Sequence, residues 1–229
     1  CSRVWRKQKS EKLSPEEKKE TEAVFLKLSR EGYRVIALAI DPDAEETVEV
    51  QKPSNLIFVG FFGMRDPLRE EVRDAVRNAN SAGIRIVMIT GDHKVTAHAI
   101  AVEAGISHSE DDTVTGEELE KLSDAELLKR FDTTNVFARV TPNHKLRIIE
   151  LFRRKGEIVA MTGDGVNDAP SLAAADLGVA MGIIGTEVAK EASDLVLLDD
   201  NFGNIISAVE EGRSIYRTIK KVILYLFST

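Results

Sequence analysis

Polar side chains and glycines follow two predicted strands at the point where each strand ends. Thr90-Gly91-Asp92 follows a strand predicted over 84–89, and Thr162-Gly-Asp-Gly-Val-Asn-Asp168 follows one predicted over 158–161. Ligands of open parallel sheets bind beyond the carboxyl ends of the strands. The Thr90 hydroxyl and the N–H groups after it suit a phosphate oxygen. A Thr-Gly-Asp turn before a helix is also an ordinary helix cap, so this turn alone supports both interpretations.

The second turn carries two carboxylates, Asp164 and Asp168, which the glycines around Asp164 allow to lie on one side of the chain. Mg²⁺ requires oxygen ligands in near-octahedral geometry and commonly joins one or two carboxylates to a substrate phosphate. Asn167 adds a neutral hydrogen-bonding group. A calcium-binding loop would need further carboxylates at alternating positions and a closing glutamate, which this stretch lacks. The turn therefore predicts a Mg²⁺ site.

Lys145 lies one turn into a helix that opens with Thr141-Pro142. Its ammonium group can project toward the same edge of the sheet and neutralise charge that develops on a transferring phosphoryl group. A lysine in isolation would be interpreted as a solvated surface residue. Its position between the two strand-end turns favours the phosphate-binding role.

The elements that position these residues alternate between strand and helix from Asp66-Pro67 onward. This alternation predicts right-handed crossovers and a parallel sheet in an α/β fold. Before it, a capped helix over 14–29, a buried strand over 33–40 and a strand over 56–62 are predicted. The remaining predictions are helices over 69–82, 94–104, 142–155 and 169–175, strands over 136–138, 177–180 and 195–198, and a long helix from Phe202.

The composition excludes several classes of function. The chain has 229 residues, enough for one full core and part of a second domain, and a net charge of -7, which argues against nucleic-acid binding. The basic stretch from Arg3 to Lys12 is predicted to be the solvated face of a helix or loop. A single cysteine, Cys1, excludes an internal disulfide framework and a cysteine-rich zinc site, which fits a reducing compartment.

No hydrophobic run is long enough to cross a bilayer, and the start of the chain has no signal-peptide pattern. By itself the chain is predicted to be cytosolic. The apolar stretch from Val222 to Phe227 follows two lysines and supports two interpretations. It is either the first turns of a membrane helix or part of an amphipathic helix packed on the core.

The order of these residues, a strand-end threonine, then a lysine, then a Gly-Asp-x-x-x-Asp pair, resembles the motifs of the haloacid-dehalogenase-like phosphotransferases. Longer strings resemble the P-type cation-transporting ATPases, closest to the calcium-pump branch, over nearly the whole chain. The most specific is the decamer from Met161 to Pro170. The others are Met64-Arg-Asp-Pro67, Met88-Ile-Thr-Gly-Asp92, Ala138-Arg-Val140 with Pro142-Asn-His-Lys145, Asp199-Asp-Asn-Phe202 and Glu210-Glu-Gly-Arg213.

The resemblance implies a Rossmann-like parallel sheet with helices on both faces, and Mg²⁺ and ATP as cofactors. It implies that Asp164 holds Mg²⁺, with Asp168 as a second metal-site residue and Asn167 in support. Thr90 and Lys145 would contact the phosphoryl oxygens, and Asp66 would mark a hinge. The nucleotide would be bound by Thr90, Gly91, Asp92, Arg139 and Arg34.

The resemblance also implies a division of the chain. Residues 1–56 would be the end of a nucleotide-binding domain, 57–212 a phosphorylation domain without its first strand, and 213–229 a stalk leading into a membrane helix. The family's Asp-Lys-Thr-Gly-Thr motif, which carries the phosphorylated aspartate, does not occur in the sequence. The rest of the pump, namely the actuator domain, phosphorylation loop and membrane helices, would be partners on the cytoplasmic side of a membrane. Ile184 replaces a residue that is usually small or polar.

Two rival functions remain open at this point. A soluble phosphatase of the same superfamily would use Asp41 and Asp43, which end a predicted strand, although Pro42 and the residues that follow lack the hydroxyl and glycine groups of such a loop. A regulatory module that binds nucleotide without turnover is the second rival. The helix from Arg213 toward a membrane favours the pump, because a free-standing regulator has no need of it.

Overall fold

The structure, a computed structural model, describes residues 3–6, 9–42 and 56–228. Contacts between residues divide the chain into two units. The first comprises residues 1–67 together with 95–100, and the second comprises residues 68–94 together with 101–229.

The first unit has a four-stranded sheet, a helix and the helical residues 95–100. The strand order is β2-β1-β4-β3, with β1 parallel to β4 and the other neighbours antiparallel. The basic stretch forms β1 and β2, so the predicted solvated helix or loop was wrong there; its charges did not reveal pairing with β4, which is distant in sequence. The elements are β1 (Arg3–Arg6), β2 (Lys9–Lys12), α1 (Pro15–Arg30), β3 (Arg34–Ile40) and β4 (Ile57–Met64).

The capping pattern at Ser14 is confirmed. The Glu17 N–H donates to Ser14 Oγ at 3.2 Å, and the Ser14 N–H donates to Glu17 Oε2 at 2.8 Å, which is a capping box. Further along α1, the ring of Phe25 lies 6.2 Å from that of Phe61 on β4. The helix therefore packs on the sheet through this aromatic pair.

The prediction that β3 is buried was wrong. Ile36, Leu38 and Ile40 expose 45%, 48% and 46% of their surfaces. Successive strand residues point to opposite faces, and Ala37 pairs with Phe61 on the face that meets α1. The face toward α1 is little better covered, because Val35 is the one residue of β3 that is half-buried and the other six are exposed.

The second unit contains two three-stranded sheets, β5-β7-β6 and β10-β9-β8, in which every pairing is parallel. Helices connect these strands, and the α/β class is confirmed. Helix α3 (Lys94–Ala104) is divided between the two units, since its residues 95–100 belong to the first. The other elements of the second unit are α2 (Glu70–Ser81), β5 (Met88–Ile89), β6 (Thr113–Thr115), α4 (Gly116–Lys121), α5 (Asp124–Arg130), β7 (Val136–Ala138), α6 (Pro142–Arg154), β8 (Ala160–Gly163), α7 (Ala169–Ala174), β9 (Leu177–Met181), α8 (Glu187–Glu191), β10 (Leu195–Leu197) and α9 (Phe202–Ser228).

Strand β5 is much shorter than the predicted 84–89. Its partner β7 begins only at Val136, so the ladder has no neighbour for the earlier residues. Arg85 instead uses its guanidinium group, which donates to Asn135 Oδ1 at 3.2 Å and to the carbonyl oxygens of Phe131 and Thr134. Side-chain bonds thus hold a segment that the apolar pattern assigned to a strand.

Helix α6 packs into two hydrophobic clusters. Ile148 and Leu151 belong to the cluster under the β5-β7-β6 sheet, and Ile149 belongs to the cluster that contains Met161 of β8. Residues three and four apart lie on one helix face, so these neighbouring positions point to different sides. A single helix therefore positions Lys145 relative to both sheets.

Helix α9 packs on α2 along its first half, where Arg213 Nη1 donates to the Ala82 carbonyl at 2.8 Å. From Val222 to Phe227 the side chains are exposed, so the interpretation of the tail as packed on the core was wrong. In the described ranges, no helix combines the length and the apolar character needed to cross a bilayer.

Candidate functional site

The turn after β5 closes on itself. Thr90 Oγ1 accepts from the Asp92 N–H and donates to Asp92 Oδ2, both at 3.1 Å. The Thr90 N–H donates to the Phe137 carbonyl at 2.8 Å, and its carbonyl accepts from the Val140 N–H at 3.2 Å. The half-buried Thr90 is therefore fixed at the carboxyl end of the sheet, beside the backbone that leads into α6.

Arg139 adopts a left-handed backbone conformation, with φ of 53°. Its N–H donates to the Asp92 carbonyl at 2.9 Å. A Cβ at position 116 would lie 2.3 Å from the Arg139 carbonyl oxygen, so only glycine fits at Gly116. The left-handed conformation of Arg139 is unfavourable for a residue with a side chain by about 1 kcal/mol or more. The surrounding bonds hold this conformation, and the Arg139 side chain is exposed.

The turn after β8 folds around Asp168. Its Oδ2 accepts from the Gly165 N–H at 3.2 Å and from the Asp164 N–H at 3.4 Å. A Cβ at Gly163 would lie 2.6 Å from the Asp168 Cβ, so a glycine is required there. The Asp168 side chain thereby stays inside the turn, where only 9% of it is exposed.

Lys145 joins this turn to α6. Its Nζ lies 2.6 Å from Asp168 Oδ1, and only 18% of the lysine side chain is exposed. Thr141 caps the helix by accepting from the His144 N–H at 3.4 Å, and Pro142 occupies the first turn. Such a charge-assisted bond between mostly buried groups holds the α6 terminus and the turn in one arrangement.

Asp164 is exposed to solvent. No described side chain or N–H group bonds to its carboxylate oxygens. The neighbouring Asn167 is also exposed. Within the part of the chain that the structure describes, no group of three His, Cys, Asp or Glu is arranged to hold a metal. One open carboxylate fits Mg²⁺, which commonly keeps several waters and binds one or two carboxylates plus substrate phosphate.

A residue without a predicted role, Asp200, supports the loop behind Asp164. It is 5% exposed, and its oxygens accept from the N–H groups of Gly182, Ile183 and Ile184 at 2.6, 3.0 and 2.9 Å. Burial would raise the pKa of Asp200, but these three N–H groups hold that pKa below its ordinary value. Its only sequence signal is the second aspartate of Asp-Asp-Asn-Phe before the long helix.

The same loop explains why Ile184 is tolerated in place of a small or polar residue. Its side chain is 59% exposed, and its contribution to the loop is the N–H group that binds Asp200. Any residue other than proline can supply that donor.

The structure joins the predicted site residues in two groups. Backbone and side-chain bonds connect Thr90 and Asp92 with Arg139 and flank the exposed Gly91. Lys145 and Asp164 are both bonded to Asp168, with Asn167 in the same turn.

The remaining predicted residues lie in the first unit. Arg34, predicted to bind nucleotide, begins β3 and is exposed. Asp66, the predicted hinge, lies just after β4. Of the rival nucleophile pair, Asp41 follows β3, and Asp43 lies outside the described residues.

The sequence is similar to a known protein family and to several larger proteins. A family model of haloacid dehalogenase-like hydrolases matches residues 2–176. Calcium-transporting ATPase 1 of Bacillus cereus is 51% identical over 100% of this chain and 26% of its own length. Calcium-transporting ATPase 4, endoplasmic reticulum-type, of Arabidopsis thaliana is 54% identical over 77% of this chain and 17% of its own. P-type sodium-transporting ATPase4 of Toxoplasma gondii is 43% identical over 98% and 19%. The chain thus spans about a quarter or less of these relatives.

Proposed function

The chain belongs to the haloacid dehalogenase-like hydrolase family, and we propose that it acts in an ATP-driven cation pump as part of the domain that becomes phosphorylated. One observation carries this proposal. The ion pair between Lys145 and Asp168 fixes a basic helix terminus against a turn whose other carboxylate, Asp164, stays open. A positive group beside an available carboxylate is what transfer of a metal-bound phosphoryl group requires.

Each site residue then has a role in binding Mg·ATP. Asp164 is the Mg²⁺ ligand, Asp168 is the second residue of the metal site and accepts from the N–H groups of the turn, and Asn167 supports the site. Thr90 and Lys145 bind the phosphoryl oxygens. The residues proposed to bind the rest of the nucleotide are Gly91, Asp92, Arg139 and Arg34. When bound, Mg²⁺ would neutralise phosphate charge in the transition state.

The proposed reaction is attack by an aspartate oxygen on the γ-phosphorus of ATP, which forms an acyl phosphate as the bond to ADP breaks. Water later cleaves that acyl phosphate. The sequence lacks the family's Asp-Lys-Thr-Gly-Thr motif, so another part of the pump supplies this aspartate. In the described residues, β5 and β8 are edge strands, and either edge can accept the strand that carries it.

The rest of the pump, including its actuator domain and membrane helices, is the proposed partner. Residues 1–56 belong to its nucleotide-binding domain, 57–212 to its phosphorylation domain and 213–229 to the stalk, on the cytoplasmic side of the membrane. Calcium is the proposed cation, because two of the three relatives above carry that name. The sodium-transporting relative makes sodium the alternative.

A chimaera tests the pump proposal. The 229 residues replace the matching segment of the Bacillus cereus relative, which aligns along the whole chain, and phosphorylation by γ-labelled ATP is measured after acid quench. We expect acid-stable label in the chimaera and none when it carries Asp164→Asn. The relative with the segment deleted is the background control. An unlabelled chimaera, or an Asp164→Asn chimaera that is labelled normally, would contradict the proposal.

The chain alone tests the rival phosphatase. Incubated with Mg²⁺ and γ-labelled ATP, it should acquire no acid-stable label, because its sequence lacks the Asp-Lys-Thr-Gly-Thr motif that carries the phosphorylated aspartate. Label that disappears in Asp41→Asn would instead identify a self-contained phosphotransferase.

A further inference from the structure

Asp200 is a buried carboxylate placed between two helices and a loop. Its backbone has φ of 54°, a left-handed conformation that aspartate and asparagine adopt more readily than most residues. Arg69 Nη1, just before α2, donates to the Asp200 carbonyl at 2.6 Å. Asp200 itself lies two residues before α9. Both helix starts are therefore tied to this residue.

The side chain of Asp200 accepts hydrogen bonds from the loop that follows β9. Three successive N–H groups, from Gly182 to Ile184, converge on its two oxygens. The loop is also too tight for larger residues, since a Cβ at Gly185 would lie 1.9 Å from the Met181 carbonyl oxygen. Carboxylates that accept several N–H bonds fix the backbone that donates them.

The far end of this loop reaches the proposed metal site. The Thr186 N–H donates to the Asp164 carbonyl at 2.8 Å, and Asp164 has the open carboxylate. Thr186 also caps α8 through its hydroxyl group, which accepts from the Ala189 N–H at 3.3 Å. The loop between 182 and 186 therefore connects Asp200 at one end to Asp164 at the other.

We infer that Asp200 is a positioning residue for metal binding: through the loop at 182–186 it fixes the backbone of Asp164, so that the Asp164 carboxylate is oriented before a cation arrives. The inference rests on the proposed role of Asp164 as a metal ligand. Substitution of a residue that supports a ligand typically lowers metal affinity by about ten- to a hundredfold. A carboxylate that only stabilised the fold would leave metal affinity unchanged in the folded protein.

The test uses Mn²⁺ alone as the probe, since it shares the preference of Mg²⁺ for carboxylates and broadens nearby amide resonances. Binding to the whole chain is measured by NMR titration in the wild type, Asp200→Asn, Asp164→Asn and Asp199→Asn. Asparagine keeps the shape and the left-handed tolerance of Asp200 while removing its charge. Asp199 is the matched control, because it is adjacent, exposed and equally charged, and its carboxylate accepts from Asn201 and Asn204 rather than from the loop at 182–186.

We expect Asp200→Asn to weaken Mn²⁺ binding by about tenfold, the lower end for a supporting residue. Amide hydrogen exchange at 182–184 should accelerate in the same variant. Asp199→Asn should match the wild type. If Asp164→Asn binds more weakly but Asp200→Asn binds normally, this inference alone fails. If the wild type shows no Mn²⁺ effect around Asp164, the proposed metal site fails and the inference fails with it.

A second pair of variants tests the loop even if Asp200→Asn does not fold. Thr186 has φ of -70°, which proline can adopt. Thr186→Pro removes the N–H bond to Asp164, and Thr186→Ala removes only the hydroxyl cap. Weaker Mn²⁺ binding in the proline variant than in the alanine variant supports the inference, and equal binding overturns it.

Discussion

The tripeptide Thr-Gly-Asp occurs at the carboxyl ends of both β5 and β8, just after β5 and across the end of β8, yet the two turns differ. After β5, Thr90 and Asp92 bond to each other, which occupies an oxygen of the Asp92 carboxylate. After β8, the N–H groups of the turn bond to Asp168 instead, and Asp164 stays open. The difference arises from the residues that follow the tripeptide. Helix α3 begins two residues after Asp92, whereas Gly165 and Asp168 follow Asp164. The same tripeptide thus gives one turn whose aspartate is bonded to its own threonine and another turn whose aspartate carboxylate is open to a ligand.

The largest expected loss of stability comes from breaking the ion pair between Lys145 and Asp168, which belongs to the second turn. Lys145→Met leaves the mostly buried Asp168 without its cation, and removal of one partner of a buried pair costs about 3 kcal/mol. Asp168→Asn with Lys145→Met should cost less than the sum of the single changes, since no isolated charge remains. Urea denaturation of the four proteins measures the coupling. Additive costs would show that the pair is not formed.

The two glycines provide the next comparison. Gly163→Ala forces a Cβ against Asp168, at 2.6 Å from its Cβ, and overpacking of this kind costs about 1–3 kcal/mol. Gly91→Ala meets no atom within 4 Å and should change stability by about 0.5 kcal/mol or less. Thermal denaturation of both variants measures the difference. Equal destabilisation would mean that the turns are built alike.

The two threonines should differ by less. Thr90→Val removes the acceptor of the Asp92 N–H and should cost about 1 kcal/mol. No hydrogen bond to the Thr162 hydroxyl is described, so Thr162→Val should stay within about 0.5 kcal/mol of the wild type. The unfolding free energies of the two valine variants decide this, and a larger loss at Thr162 would reverse the comparison.

The smallest expected effect is the pH dependence of the loop behind the second turn. Because the folded pKa of Asp200 is lowered, its contribution to stability is complete above the unfolded pKa, about 3.9. That contribution disappears as the pH falls through the lowered folded value. The difference in unfolding free energy between wild type and Asp200→Asn should therefore shrink on acidification. A difference that grows instead would contradict the direction of the shift.

The sequence predicted the elements whose signals are local. Capping residues and helical spacing located α1, α3 and α6 to within a residue or two, and α3 and β7 have the predicted bounds. The turns after β5 and β8 were found because parallel strands end with ligand-binding residues. Their roles stay predictions.

The sequence did not reveal features that depend on distant contacts. The β1 strand has basic residues at both ends and pairs with β2 and also with β4, more than fifty residues later. The apolar run of β3 is identical in pattern to a buried strand, and only its neighbours show that it is largely exposed. Asp200 looks like a surface aspartate in the sequence, because the three N–H groups that bind it belong to another loop.

The division of α6 between two hydrophobic clusters has a consequence for folding. Neither cluster can lose the helix without exposing apolar side chains in the other, since Ile148 and Ile149 are both buried, on different sides. The two parallel sheets should therefore melt together in one cooperative transition, and a partly unfolded intermediate that keeps only one of them should be rare. Lys145, near the first turn of that helix, would then keep its place until the whole unit unfolds.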